Sequence, residues 1–331
     1  MSKEKAIYIN SQGGEGFNLA LAHVIPEFKE KYETIAVLSP YSDIFECKPE
    51  VDLVYRPNEL RDFIFDAKAK NARLICERMY DSQEFIYKEL SYADAWRKAA
   101  GIPVKGNKNG SDTVANFDTS KYNLANQAAS ALKQIKDNGF DDFVIMQFSG
   151  GQSPLVNVPI GERTKEDGTK EQFPDWGKVP YNYENEPLKR HYPIDLAKKF
   201  VELFQAAHPK TAVVLYQLPN EPYSFNNTFK FVLPYLTYYE LAKLPECTGT
   251  VSIDSSLQHL IAGVTKSVVI WGHSLPLSFG YEYNKNVIQD CRRDDILYFS
   301  ALGPSGAAIK YIKPEKLLEE TDSYLFGKET K

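Results

Sequence analysis

One stretch of the chain concentrates groups able to hold an anion. Residues 252–272 read SIDSSLQHLIAGVTKSVVIWG. Asp254 closes an apolar run, 249–253, with the character of a buried strand. The carboxyl ends of such strands are where ligands bind in open α/β sheets. Ser255 and Ser256 then open a helical run over 257–264. The free N–H groups and dipole of a helix's first turn favour phosphate. His259 lies one turn further, on the same face as Ser255 and Ser256. Plain helix capping by Asp254 or Ser255 is the competing reading. Two glycine-rich turns could serve the same chemistry: Ser11-Gln12-Gly13-Gly14-Glu15-Gly16, and Ser149-Gly150-Gly151. The first also offers a carboxylate, Glu15. It lacks the full GxGxxG spacing, so a tight turn without a ligand explains it equally well.

The elements that must position these groups alternate. A strand over 6–10 feeds the first glycine turn and an amphipathic run over 17–32. Strands follow over 34–39, 52–55 and 73–76, with helices over 42–47, 59–70 and 83–100. Gly101-Ile102-Pro103 stops the last of these. Residues 104–120 are polar and read as a loop near a domain boundary, with Lys105 and Lys108 solvated. A helix over 120–138 leads into a strong strand, 142–148, and the second glycine turn. The stretch 154–187 has little periodicity and reads as a long insertion or lid, in which Trp176, Tyr181 and Tyr183 could stack on a ligand or simply pack. Beyond it come a helix over 194–207, a strand over 212–217, a helix over 229–243, and strands over 249–253 and 267–271. A helix over 314–325 ends the pattern. The fold class is α/β, with domains at 1–120 and 121–331, similar in layout and facing each other across a cleft.

Composition bounds the function classes. The 331 residues carry 39 Lys+Arg against 44 Asp+Glu, a formal net charge of −5. That disfavours a large nucleic-acid face without excluding a local one. No run of about 18 apolar residues would cross a membrane, and the opening MSKEKAIYIN shows no secretory signal. Cys47, Cys76, Cys247 and Cys291 fit neither a zinc site nor a disulfide framework, so reduced thiols and a cytoplasmic location are expected.

The 252–272 block resembles the donor-site motif of the heptosyltransferase-like glycosyltransferases, glycosyltransferase family 9. In that family a strand ends in Asp. Two small residues, a helix with His and Ala, a Lys-containing turn and a strand ending in Gly follow. Asp254, Ser255, Ser256, His259, Ala262, Lys266 and Gly272 match without a gap. Around the block, Ser149-Gly150-Gly151 is similar to the family's loop opening the donor domain. Lys189 and the Arg190-His191-Tyr192-Pro193 run resemble its basic entry into the next helix. Asn220-Glu221 is similar to its acidic site near the nucleoside. Gly13, Gly14 and Gly16 resemble its acceptor-side turn.

The resemblance implies a GT-B architecture and transfer of a sugar from a nucleotide-sugar donor to an acceptor hydroxyl. Such transfer needs a base for the hydroxyl and dipoles or cations for the leaving diphosphate. The chain has no Asp-x-Asp motif, so a metal-independent, inverting reaction with no cofactor is expected. The candidates for the leaving group are the N–H groups of Ser255 and Ser256, the loop 149–151, and Lys189 or Arg190; Glu221, Asp254 and His259 complete the expected donor-binding set. The acceptor is a glycan or lipopolysaccharide core, a protein, or a modified nucleobase in DNA. One departure stands out. The family's proposed catalytic Asp follows the first turn, and the ungapped match places Phe17 there. Glu15, two residues earlier, is the substitute base. A non-catalytic nucleotide- or sugar-binding protein that lost the base is the alternative, and a nucleotide-sugar epimerase a more distant one.

Overall fold

The structure is a computed structural model that describes residues 4–11, 13–76, 85, 90–106, 109–150, 160–164, 170–174, 191–217, 223–272, 274, 276–288 and 312–328. Two parallel sheets dominate it. The first contains β1 (Glu4–Asn10), β2 (Tyr32–Leu38), β3 (Leu53–Tyr55) and β4 (Arg73–Ile75), in the order β3-β2-β1-β4. Its helices are α1 (Glu15–Lys31), α2 (Ser42–Glu46), α3 (Leu60–Ala69) and α4 (Tyr92–Ala99). The pleat divides β1 between two cores. Ile7 and Ile9 face one, while Ala6 and Tyr8 face the other with Phe63 of α3.

The second sheet contains β5 (Asp142–Gln147), β8 (Thr211–Leu215), β9 (Thr228–Phe229), β10 (Cys247–Ile253), β11 (Ser267–Trp271) and β12 (Lys285–Ile288). Its spatial order, β9-β8-β5-β10-β11-β12, is that of a doubly wound dinucleotide-type sheet. The order reverses between β5 and β10, and between β1 and β4 in the first sheet. Each glycine turn therefore leaves its sheet at a topological switch point. Phe143 and Ile145 of β5 pack on one face of the second sheet, Val144 and Met146 on the other. Helices α5 (Leu124–Asp137), α6 (Ile194–Ala207), α7 (Tyr235–Ala242), α8 (Ser256–Leu260), α9 (Pro276–Phe279) and α10 (Pro314–Phe326) complete this half.

Several boundaries differ from the sequence pattern. The helix expected from 120 begins at Leu124, because a short 3-10 turn precedes it and Asn123 adopts a left-handed backbone, φ 54°. The helix expected from 229 begins at Tyr235. Thr228 and Phe229 instead pair with β8 as an edge strand, and Pro234 bars any helix through it. In the 154–187 stretch, β6 (Ile160–Thr164) and β7 (Lys170–Pro174) form an antiparallel ladder. Trp176, Tyr181 and Tyr183 lie outside the described residues. Helix α10 stays on its own sheet, with Leu317 and Leu325 in the core beneath α6.

The described residues of the 104–119 segment form a strap stitched to both halves rather than a loose linker. Asp94 of α4 accepts the backbone N–H groups of Lys105 and Gly106, at 2.8 and 2.9 Å. Lys105 is not merely solvated: its Nζ pairs with Glu27 and Asp112 at 3.2 and 2.7 Å. Farther along, Ser111 N–H donates to the Gly280 carbonyl, Ala115 N–H to that of Ala262, and Asp118 N–H to that of Cys47. Arg97, wholly buried, holds the network together through Glu27, Asp94 and Asp112. Lys108 lies outside the described residues.

Candidate active site at the domain seam

The first turn is built around Asn18, a residue the sequence pattern did not single out. Its buried amide donates to the carbonyls of Gly13 and Gly14, at 3.0 and 2.9 Å. Its Oδ1 accepts from the Ser11 and Ser39 hydroxyls, each at 2.7 Å. All four hydrogen-bonding positions of the side chain are used. Phe17 points inward against Tyr92 and Trp96, with ring centroids 5.8 and 5.2 Å away. A side chain at Gly13 would strike it, since a Cβ there lies 2.3 Å from the Phe17 ring. Phe17 is thus a core residue, and the carboxylate that emerges from this turn is Glu15.

Glu15 is the first residue of α1 and sits at the seam between the halves. Tyr216, just beyond β8, donates its hydroxyl to Glu15 Oε1 at 2.6 Å. Burial pushes the Glu15 carboxyl up to about 7; the Tyr216 hydrogen bond opposes the rise and nearby Asp43 adds to it. A carboxyl poised near neutrality can take a proton from a substrate at ordinary pH.

Across the seam, Gln147 at the end of β5 fixes the turn after β10. Its Nε2 donates to Ser255 Oγ at 3.2 Å, and its Oε1 accepts the Leu257 N–H at 3.1 Å. Ser255, the N-cap of α8, makes no capping bond through its side chain, and one first-turn N–H is already taken. Asp254, buried, accepts from the Ser274 hydroxyl and from Gln258 Nε2. Ser256 Oγ donates to Tyr216 Oη at 3.4 Å.

His259 belongs to the seam itself. Its Nδ1 shares a hydrogen bond with Tyr281 Oη at 2.8 Å, and its carbonyl accepts from His23 Nε2 of α1 at 2.6 Å. His23 is buried, and burial drives its ring down to about 3. Gly16 makes the approach possible, because a Cβ there would lie 2.8 Å from His259 Cδ2.

Glu15, Gly16, Ser256 and His259 are thus brought together, with Ser255 and Asp254 adjoining. Ser149 is buried and forms an antiparallel bridge with His191, while Gly150 follows it toward the surface. Gly151, Lys189, Arg190 and Glu221 lie outside the described residues. Sequence reasoning missed Asn18, Gln147 and Tyr216. The only local signal for them was a polar or hydroxyl-bearing residue next to a turn or at a strand's end. Among the described residues no three His, Cys, Asp or Glu side chains gather as a metal site.

Two doubly wound sheets whose switch points meet at one seam define the GT-B architecture. The particular likeness is to family 9 glycosyltransferases. A family 9 glycosyltransferase from Veillonella parvula DSM 2008 superposes with a TM-score of 0.60 at 11% identity, covering 99% of both chains. The ADP-heptose lps heptosyltransferase II of E. coli gives 0.54 at 12% identity, over 98% of this chain and 99% of that one. The iron-containing dodecameric glycosyltransferase TibC from enterotoxigenic E. coli H10407 gives 0.56 at 12% identity, over 99% of this chain and 77% of that one. At such identities the likeness is one of fold. No protein-family model matches the sequence, and neither does any curated protein sequence.

Proposed function

We propose that the chain is a glycosyltransferase that moves a sugar from a nucleotide-sugar donor to an acceptor hydroxyl, metal-independently and with inversion. The observation that carries this reading is the place of Glu15. A near-neutral carboxyl at the switch point of one sheet meets the first residues after the switch point of the other. Residues 1–120 would present the acceptor and 121–331 the donor. Glu15 takes the acceptor proton as the hydroxyl attacks the sugar. The start of α8, the loop 149–151, and Lys189 and Arg190 offset the charge of the departing diphosphate. The fold's likeness to an ADP-heptose lps heptosyltransferase supports an ADP-activated heptose as donor and a lipopolysaccharide core as acceptor. The three cysteines described, Cys47, Cys76 and Cys247, are free thiols, which supports a cytoplasmic setting.

The test is ADP release from ADP-heptose with a lipopolysaccharide core oligosaccharide as acceptor. Release is expected to rise with pH through a midpoint near 7 and to fall about 100-fold or more in Glu15→Gln. Unchanged release in that variant rules Glu15 out as the base. The alternative, a binding protein without turnover, draws on Phe17 being committed to the core at the position of the family's Asp. It gains if the wild-type chain binds ADP yet releases none from any donor.

A further inference from the structure

Tyr216 comes from the half opposite Glu15. Its ring is buried and stands edge-on to Tyr238, with centroids 4.8 Å apart, which limits where its hydroxyl can reach. That hydroxyl donates to Glu15 Oε1 at 2.6 Å and accepts from the Ser256 hydroxyl at 3.4 Å. The three groups therefore form one chain, from the first residue of α8 to the first residue of α1. Among the described residues, the other titratable groups around the carboxylate are Asp43 of α2, Tyr41 in the turn before it, and Tyr235 of α7. Asp43 opposes the charged carboxylate, whereas Tyr216 donates a hydrogen bond to it.

We infer that Tyr216 is a positioning residue: it orients the Glu15 carboxylate across the seam and stabilises its charged form, and Ser256 couples that contact to the start of the donor helix. The inference rests on the reading of Glu15 as the general base. A hydrogen bond to an ionised acceptor is among the stronger ones, and a donor that itself accepts a hydrogen bond donates more strongly. The contact exists only while α1 lies against α8. Separating the halves removes this donor and also part of the burial that raises the carboxyl, so the seam acts on the base in two opposed ways.

The experiment is a carbon NMR titration of the full chain labelled with [δ-13C]glutamate, with the Glu15 signal assigned by its loss in Glu15→Gln. Tyr216→Phe keeps the ring and its packing. It is expected to move the Glu15 midpoint up by about 1–2 pH units, the worth of one hydrogen bond to a charged group. Ser256→Ala, which leaves the aromatic contact untouched, is expected to move it the same way by less. In Tyr216→Phe, ADP release from ADP-heptose at pH 7 falls roughly ten-fold and recovers by about pH 9, with the donor KM unchanged. A midpoint that stays put in Tyr216→Phe overturns the inference, whatever happens to turnover. Undiminished ADP release in Glu15→Gln overturns the reading of Glu15 as the base instead, so the two failures are distinguishable.

Discussion

Glu15 joins two demands that pull against each other. Its carboxyl is pushed from the usual 4.5 to about 7, so the folded chain holds a proton there that the unfolded chain has released. Stability is therefore full below about pH 4.5 and falls as pH rises through 7. Glu15→Gln removes this loss. The variant is expected to be up to about 3 kcal/mol more stable than wild type above pH 7 and equal to it below pH 4.5, as read by urea unfolding across pH. A buried carboxylate that costs stability is a familiar exchange at functional sites. Glu15→Gln no more stable than wild type at pH 8 would mean that water reaches the carboxylate freely. Asn18 does the opposite work: with every polar position satisfied, it sets the turn from which Glu15 emerges.

At the scale of elements, α1 against α8 is the contact that makes one site from two halves. It depends on Gly16 for space and on His23 for a hydrogen bond to the His259 carbonyl. His23 is held neutral, with its pKa near 3 instead of 6.5. As pH falls below 6.5 the unfolded chain takes up a proton that the folded chain refuses, so stability is lost toward acid. The expected loss from this residue between pH 6.5 and 4 is about 3 kcal/mol. His23→Gln keeps an N–H for the carbonyl and cannot protonate, so its stability over that interval should lose this slope. An identical slope in His23→Gln and wild type would assign the acid sensitivity to other groups.

For the whole molecule, the alternation of strand and helix was legible because each sheet strand buried on both faces reads as an apolar run. The helix Ile194–Ala207 and the strand Ser267–Trp271 fall where the sequence pattern places them. Other parts took their form from tertiary contacts with no local pattern. β12 (KNVI) is a strand because it pairs with β11, and β9 is two residues long. The strap over 104–119 looked like a linker because its bonds are made by backbone groups to distant partners. The candidate site was legible as the first glycine turn and the Asp254–His259 block. The register that makes Glu15 the carboxylate at the seam was not, since it depends on Phe17 turning into a core formed with α4. Tyr216 was hidden for the same reason, as it matters only once the halves meet.

In this reading one nucleotide-sugar site spans both halves, and ligand binding tests that most directly. A thermal-shift titration of the wild-type chain with ADP, UDP, GDP, CDP and dTDP, and with ADP-heptose, measures it without an acceptor. The expected result is selective stabilisation by one nucleoside diphosphate and by its sugar, worth about 2.7 kcal/mol at a hundred times Kd. No stabilisation by any of them would contradict a donor site at the switch point beside Asp254 and Ser256.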